Sequence, residues 1–259
     1  MKEYYNTNGF YSPLRLFSID QSNEYRKKLE LTESKIGPLH YFAKTYTVMK
    51  WVYDVATNNT MLDFVEDLIG KNILLYNATF IIKEPKSKTH VSWHQDLTYW
   101  GFDKNEKQVS AWIALSNVND LSGCMKMIPG SHKKGFFYHK STNDRNNVLS
   151  RGQTVLNVEE DKAISCPLLP GEASFHHGLT LHASQPNKSD DRRIGLNLQF
   201  ISTDMQQLKS DNDSAILVRG KDNYNNFKID VVAKNDFDDN GYERLLERNE
   251  HYNKTIREK

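Results

Sequence analysis

A mainly β fold with flanking helices, of the jelly-roll kind, is what this sequence predicts, and three observations predict it. From Asn72 onward apolar residues alternate with a period of two. Short alternating runs are separated by turn-forming pairs: Glu84-Pro85, Pro129-Gly130, Pro170-Gly171 and Pro186-Asn187. Before residue 70 the apolar spacing is helical instead. Regularly spaced short strands with turn signals describe a sandwich or jelly roll, the architecture of cupin-like proteins. At 259 residues the chain sits at the upper edge of one domain. The expected organisation is a single domain over 1–259, with N-terminal helices over 1–70, a jelly-roll core over 71–202 and a polar extension over 203–259.

The elements follow in order. Asp20 is placed to cap a short charged helix running through Leu31. Phe42, Tyr46, Met49 and Tyr53 stand at helical spacing within Leu39 to Val55, predicting a second helix. Asn59 or Thr60 caps a third over Met61 to Ile69, where Leu62, Val65 and Ile69 form one stripe and Gly70 ends it. The first strand runs from Asn72 to Lys83, and further strands are predicted over 91–94, 109–115, 124–128, 154–158, 164–168, 173–176 and 193–201. His132 to Asp161 is a long polar connection, of the length that marks a functional lid or a disordered segment. A charged helix over Tyr242 to Arg257 closes the chain.

Composition excludes several classes of function. The 34 basic and 33 acidic residues are thoroughly mixed and the net charge is +1, which leaves no electrostatic footprint for nucleic acid or an anionic membrane. No stretch approaches the roughly 20 apolar residues of a membrane span, and Met1 to Asn6 shows no secretory pattern. A cytoplasmic location is expected. Cys124 and Cys166 read as reduced, buried thiols of an intracellular protein.

The chemistry concentrates in three places. His94 and Asp96 are i and i+2, so on an extended chain both side chains project from one face and can chelate one ion. A third ligand has to come from elsewhere, and His176, His177 and His182 are the candidates. His182 is taken because it precedes Ala183-Ser184-Gln185-Pro186-Asn187 and stands eleven residues before Arg193; His176 and His177 are read as a packed or loop pair. Two imidazoles and one carboxylate cover one face of an octahedral Fe(II) and leave the other open for a cosubstrate and O₂. Arg193 adds a planar cation suited to a carboxylate. It is preferred to Arg192 because Arg193, Gly195, Asn197 and Gln199 share the small and polar face of the last strand. The Ser184 hydroxyl can donate to the same carboxylate. Asn77, polar in an apolar strand, either reaches the cosubstrate or caps a bulge.

Trp93-His94-Gln95-Asp96, Ala111 to Leu115, Gly123 to His132, Pro170-Gly171-Glu172 and His182 to Arg193 together resemble, in order, the phytanoyl-CoA dioxygenase (PhyH) family over about residues 70–202. The resemblance implies a double-stranded β-helix, Fe(II), and 2-oxoglutarate as cosubstrate. It implies His94, Asp96 and His182 as iron ligands and Arg193 as the 2-oxoglutarate anchor. It also places Trp112 beside the cosubstrate, where the alternative is a core tryptophan. The expected reaction hydroxylates a small molecule while 2-oxoglutarate is converted to succinate and CO₂. Related halogenases replace the carboxylate ligand with a small residue. Asp96 is present here, so hydroxylation is expected over chlorination, with desaturation, epoxidation and ring chemistry left open.

Gln95, Thr98, Tyr99 and Trp100 follow the ligand pair and are expected on the substrate side, with Lys83, Lys126 and residues 132–151 adding polar contacts. The absence of a basic cluster favours a small polar or amino-acid-derived substrate over a CoA thioester. Two other readings compete: a non-catalytic metal-binding sensor, against which Arg193 and the full ligand set count, and a zinc hydrolase, which gives Arg193 no role.

Overall fold

Local pattern accounts for most of the helices, and backbone geometry explains where it fails. The computed structural model describes residues 1–149 and 152–257; Ser150 and Arg151, in the segment expected to contact substrate, lie outside them. The chain opens with α1 (Lys2–Asn8), closed by Gly9 at φ 83°. A strand, β1 (Phe10–Arg15), follows where helix was expected. α2 (Ile19–Ile36) extends past the predicted end at Leu31. The expected helix over 39–55 forms only in its second half, as α3 (Lys50–Ala56). Tyr41 (φ 63°) and Lys44 (φ 59°) adopt left-handed backbone, which a continuous right-handed helix excludes. α4 (Asn59–Ile69) is capped one residue earlier than predicted, by Asn58, whose Oδ1 accepts the Met61 N–H at 3.0 Å.

The strands begin with β2 (Ile73–Lys83), buried along nearly its whole length, and β3 (Val91–His94). A single helical turn, α5 (Leu97–Trp100), precedes β4 (Gln108–Ala114) and β5 (Met125–Met127). The long polar segment holds an antiparallel pair, β6 (His139–Ser141) and β7 (Gln153–Val155). Then come β8 (Ile164–Cys166), β9 (Glu172–His176), β10 (His182–Ser184) and β11 (Arg193–Ser202). The extension is less irregular than its polarity suggests: β12 (Ser214–Arg219) and β13 (Lys228–Ile229) precede α6 (Asp239–Arg257). Backbone pairing orders the strands β1-β9-β4-β11-β2-β12-β13 in one sheet and β3-β10-β5-β8 in another. The fold is a double-stranded β-helix with flanking helices.

Packing groups the chain into two compact units. One comprises Met1–Asn23, Ile82–Thr98 and Trp112–Gly195; the other comprises Glu24–Ile81, Tyr99–Ala111 and Leu196–Lys259. The first contains the four-stranded sheet, where β10 lies between β3 and β5 and sets His182 opposite both His94 and Met127. Trp93, Ile128, Val155, Leu181 and Ala183 pack there as one apolar cluster. Here β1 pairs antiparallel with β9, Phe10 opposite His176. The second unit has its own aromatic core, in which Trp51 stacks on Tyr25 at 5.2 Å and meets Phe80 at 5.8 Å. It also buries Lys44, whose Nζ donates to the carbonyls of Tyr76 and Ser214.

Candidate metal and cosubstrate centre

The pairing of β3 with β10 brings the two predicted histidines together. His94 and His182 are cross-strand partners, and their ring centroids lie 4.1 Å apart. Asp96, just past β3, faces both: its Oδ1 is 3.4 Å from His94 Nε2 and 3.7 Å from His182 Nε2. One ligand atom from each of the three lies within 4.8 Å of the others. The tautomers follow from the backbone. His182 Nδ1 is 2.9 Å from the Thr180 carbonyl, and His94 Nδ1 is 2.9 Å from the Ser92 carbonyl. A carbonyl only accepts, so both Nδ1 atoms carry a proton, and both Nε2 atoms are turned towards the carboxylate. This is the arrangement a divalent metal requires of histidine ligands, with each ring fixed by its remote N–H. Burial opposes ionisation of Asp96, but the imidazoles of His182, His176 and His94 outweigh it and hold the carboxyl well below the usual carboxylate range. Burial, assisted by His94, holds the His182 imidazole well below its ordinary value despite Asp96. Two imidazole Nε2 atoms and a carboxylate are a donor set that fits Fe(II).

His176 corrects the expectation of a bland histidine pair. Its Nε2 donates to the other Asp96 oxygen, Oδ2, at 3.2 Å, and its Nδ1 is buried without a hydrogen-bond partner among the described residues. Its position opposite Phe10, on the last residue of β9, is what aims it there. His177 does behave as a loop residue: its Nδ1 accepts the Leu179 N–H at 3.0 Å, and burial, with His132 and His176 nearby, pushes its pKa down to about 4.

Gln95 is a second correction. Its side chain is fully buried and committed to the chain, not open to a substrate. Nε2 donates to the carbonyls of Gly135 at 2.8 Å and Leu179 at 2.7 Å, and Oε1 accepts the Phe137 N–H at 2.8 Å. Its backbone N–H donates to His139 Nε2 at 3.0 Å. Further along, Ser92 Oγ donates to the Gln153 carbonyl and accepts from Asn147 Nδ2. The described part of the 132–161 segment is therefore fastened along β3. Thr98 Oγ1 lies 3.5 Å from His139 Nδ1.

The predicted cosubstrate residues of the first unit also gather. Arg193 is 1% exposed and its Cζ lies 4.4 Å above the Trp112 ring. Gly195 makes room for that indole, since a Cβ at 195 would fall 1.7 Å from Trp112 Cζ2. Arg192 instead meets Glu84 at 2.9 Å on the surface, as the strand-face argument predicts. Lys83, expected on the substrate side, is buried at the end of β2 with its Nζ 2.7 Å from Ser184 Oγ. Asn77, Tyr99 and Trp100 belong to the second unit. There Asn77 Oδ1 accepts the Lys44 N–H at 2.8 Å, and the Tyr99 and Trp100 carbonyls accept from Lys209 and Gln207. The expectation of no basic cluster also needs correcting: folding brings Lys86, Lys88 and Lys188 around one surface cleft, with Lys86 paired to Asp190 at 2.7 Å.

A double-stranded β-helix carrying two histidines and a carboxylate on paired strands defines the class of mononuclear non-haem iron enzymes. The chain belongs to the phytanoyl-CoA dioxygenase (PhyH) family, whose model matches residues 16–195. It is 30% identical over 159 residues to the peroxisomal phytanoyl-CoA dioxygenase of Homo sapiens, covering 60% of this chain and 47% of that one. It is 31% identical over 148 residues to a probable alpha-ketoglutarate-dependent hypophosphite dioxygenase of Stutzerimonas stutzeri, covering 56% and 50%. The matches thus span about half the length of these two relatives. Among solved structures, the apo form of ThoJ, described as a non-heme monooxygenase, superposes with a TM-score of 0.86 at 25% identity over 98% of both chains. The cofactors are Fe(II), 2-oxoglutarate and O₂. No described helix is long and apolar enough to cross a membrane.

Proposed function

We propose that this chain is an oxygenase that hydroxylates a small-molecule substrate, with His94, Asp96 and His182 as the iron ligands. The observation that carries the reading is the tautomer pair: two imidazoles whose Nδ1–H groups are spent on backbone carbonyls while both Nε2 atoms face one oxygen of Asp96. Bound iron, with 2-oxoglutarate and O₂, supplies the oxidising power for a substrate C–H bond, and succinate and CO₂ leave as co-products. The protein's part is placement. Arg193, stacked on Trp112, pairs with the distal carboxylate of 2-oxoglutarate, and the Ser184 hydroxyl donates to the same group. Asp96 supplies an anionic ligand where a halogenase needs room for chloride, which supports hydroxylation. Anaerobic addition of Fe(II) and 2-oxoglutarate is expected to produce a metal-to-ligand charge-transfer band in the visible, lost in His182→Ala and retained in His177→Ala; its absence in the wild type sinks the reading.

A small polar metabolite is the substrate class we favour, reached past Thr98 on the turn that follows the ligand pair. The lysine cleft keeps an anionic substrate in play, and the family's name adds acyl-CoA thioesters to the panel. Succinate release screened across both classes decides: turnover of a thioester with none of the polar metabolites overturns the substrate assignment but not the chemistry.

A further inference from the structure

We propose that Lys83 is a positioning residue for the distal carboxylate of 2-oxoglutarate, turning the Ser184 hydroxyl towards that anion and taking up a proton as it binds. The inference rests on the assignment of Ser184 and Arg193 to that carboxylate. Lys83 ends β2 and is 2% exposed. Its Nζ contacts three oxygens: Ser184 Oγ at 2.7 Å, the Ser184 carbonyl at 3.1 Å and the Gln185 carbonyl.

The charge on Lys83 sets the direction of the Ser184 hydroxyl. An ammonium has three N–H donors, one for each of those oxygens, so Ser184 Oγ accepts and its own proton is left to donate elsewhere. A neutral amine has two N–H donors, which the two carbonyls consume, and one lone pair. The Ser184 hydroxyl then donates to Nζ and is turned away from any anion. Only the charged form of Lys83 presents Ser184 as a donor.

The surroundings favour the neutral form until an anion arrives. Burial, reinforced by the Arg193 guanidinium, pushes Lys83 down to about 6. Arg193 stays charged at every accessible pH, and burial raises the Cys124 thiol, keeping it protonated. A carboxylate paired with Arg193 offsets the repulsion between the two bases and restores the ammonium. The sign follows. At pH 8 the resting Lys83 is neutral and binding draws in a proton; at pH 5 it is already charged and binding draws in little.

Titration calorimetry tests this on the Mn(II)-loaded full chain, where the metal fixes the histidine ligands, in buffers of different ionisation enthalpy. Uptake approaching one proton per 2-oxoglutarate is expected at pH 8, shrinking towards pH 5. Lys83→Met is expected to bind 2-oxoglutarate roughly tenfold to a hundredfold more weakly, with the uptake gone. No uptake by the wild type at pH 8 overturns the proposal, and that measurement stands even if the variant fails to fold. Weaker binding of Lys83→Met with uptake unchanged overturns it as well, because a merely structural lysine would do that. Arg193→Met separates the underlying assignment: binding indifferent to Arg193 removes the anchor, whereas binding lost there with no wild-type uptake removes only the role of Lys83.

Discussion

The two oxygens of Asp96 have different partners. Oδ1 faces the Nε2 atoms of His94 and His182, while Oδ2 accepts from His176. Holding Oδ2 in a hydrogen bond fixes the carboxylate plane and leaves Oδ1 to the metal. Partners of this kind are worth about 10- to 100-fold in metal affinity, so His176→Phe is expected to weaken Co(II) or Fe(II) binding by that order in a chelator competition. His176→Gln, which keeps an N–H donor, should recover part of the loss; equal affinities for wild type and Phe variant would refute the role. The meeting of His94, Asp96 and His182 was legible in the sequence, from the His-x-Asp spacing and the family resemblance. His176 was not, since its contact with Asp96 arises from how β9 is placed and not from any local pattern. Its neighbour His177 titrates in the opposite sense to a stabilising ion pair. Its folded value of about 4 lies below the ordinary value near 6.5, so the unfolded chain binds the extra proton between these limits. Stability is expected to fall as pH drops from about 6.5 towards 4, by at most about 1.4 kcal/mol per pH unit from this group. Denaturant titrations of His177→Gln should show a shallower slope over that window, and an unchanged slope would remove His177 from the account.

At the scale of elements, the long strands β2 and β11 and the helix α4 declare themselves by period, whereas β1 and β10 do not. Pro13 interrupts β1, and β10 has only three residues, too few for alternation to register. Both exist because partners pair with them: β9 in the first case, β3 and β5 in the second. The 132–161 segment shows a pattern only at its predicted strand 154–158, yet hydrogen bonds tie its described residues to β3. Gln95 adds two more from one buried amide, to Gly135 and Phe137, and a third bond from the same amide reaches Leu179. Leucine at this position leaves buried backbone groups unpaired at a cost of about 1–3 kcal/mol each where water cannot replace the amide. Gln95→Leu is expected to lose roughly 2–4 kcal/mol of stability and to become sensitive to limited proteolysis within 135–155. A variant that unfolds earlier but is cut elsewhere would show that the segment is held by other contacts.

Across the whole molecule, fold class was legible, whereas the two compact units leave no mark along the chain. Alternation and turn signals report strands one at a time, while the division into units depends on which distant segments pack together. Here each unit is assembled from three separate stretches, so no linker composition marks the boundary. The division has a consequence for ligation. His94, Asp96, His182, Ser184 and Arg193 all fall in the unit built from Met1–Asn23, Ile82–Thr98 and Trp112–Gly195. Metal and cosubstrate therefore join two of its segments that are far apart in sequence, and a ligand at 100 times its dissociation constant adds ~2.7 kcal/mol to the state that binds it. Local opening that breaks the site must overcome that increment, whereas local opening elsewhere need not. Hydrogen exchange of the chain with Mn(II) and 2-oxoglutarate, compared with the chain alone, is expected to slow most in peptides covering 91–97 and 180–195. Peptides from 24–70 and 239–257 should change little wherever they exchange by local fraying. Slowing of equal size in both sets would mean that opening at the site is coupled to opening of the second unit, and that the two do not behave as separate cooperative bodies.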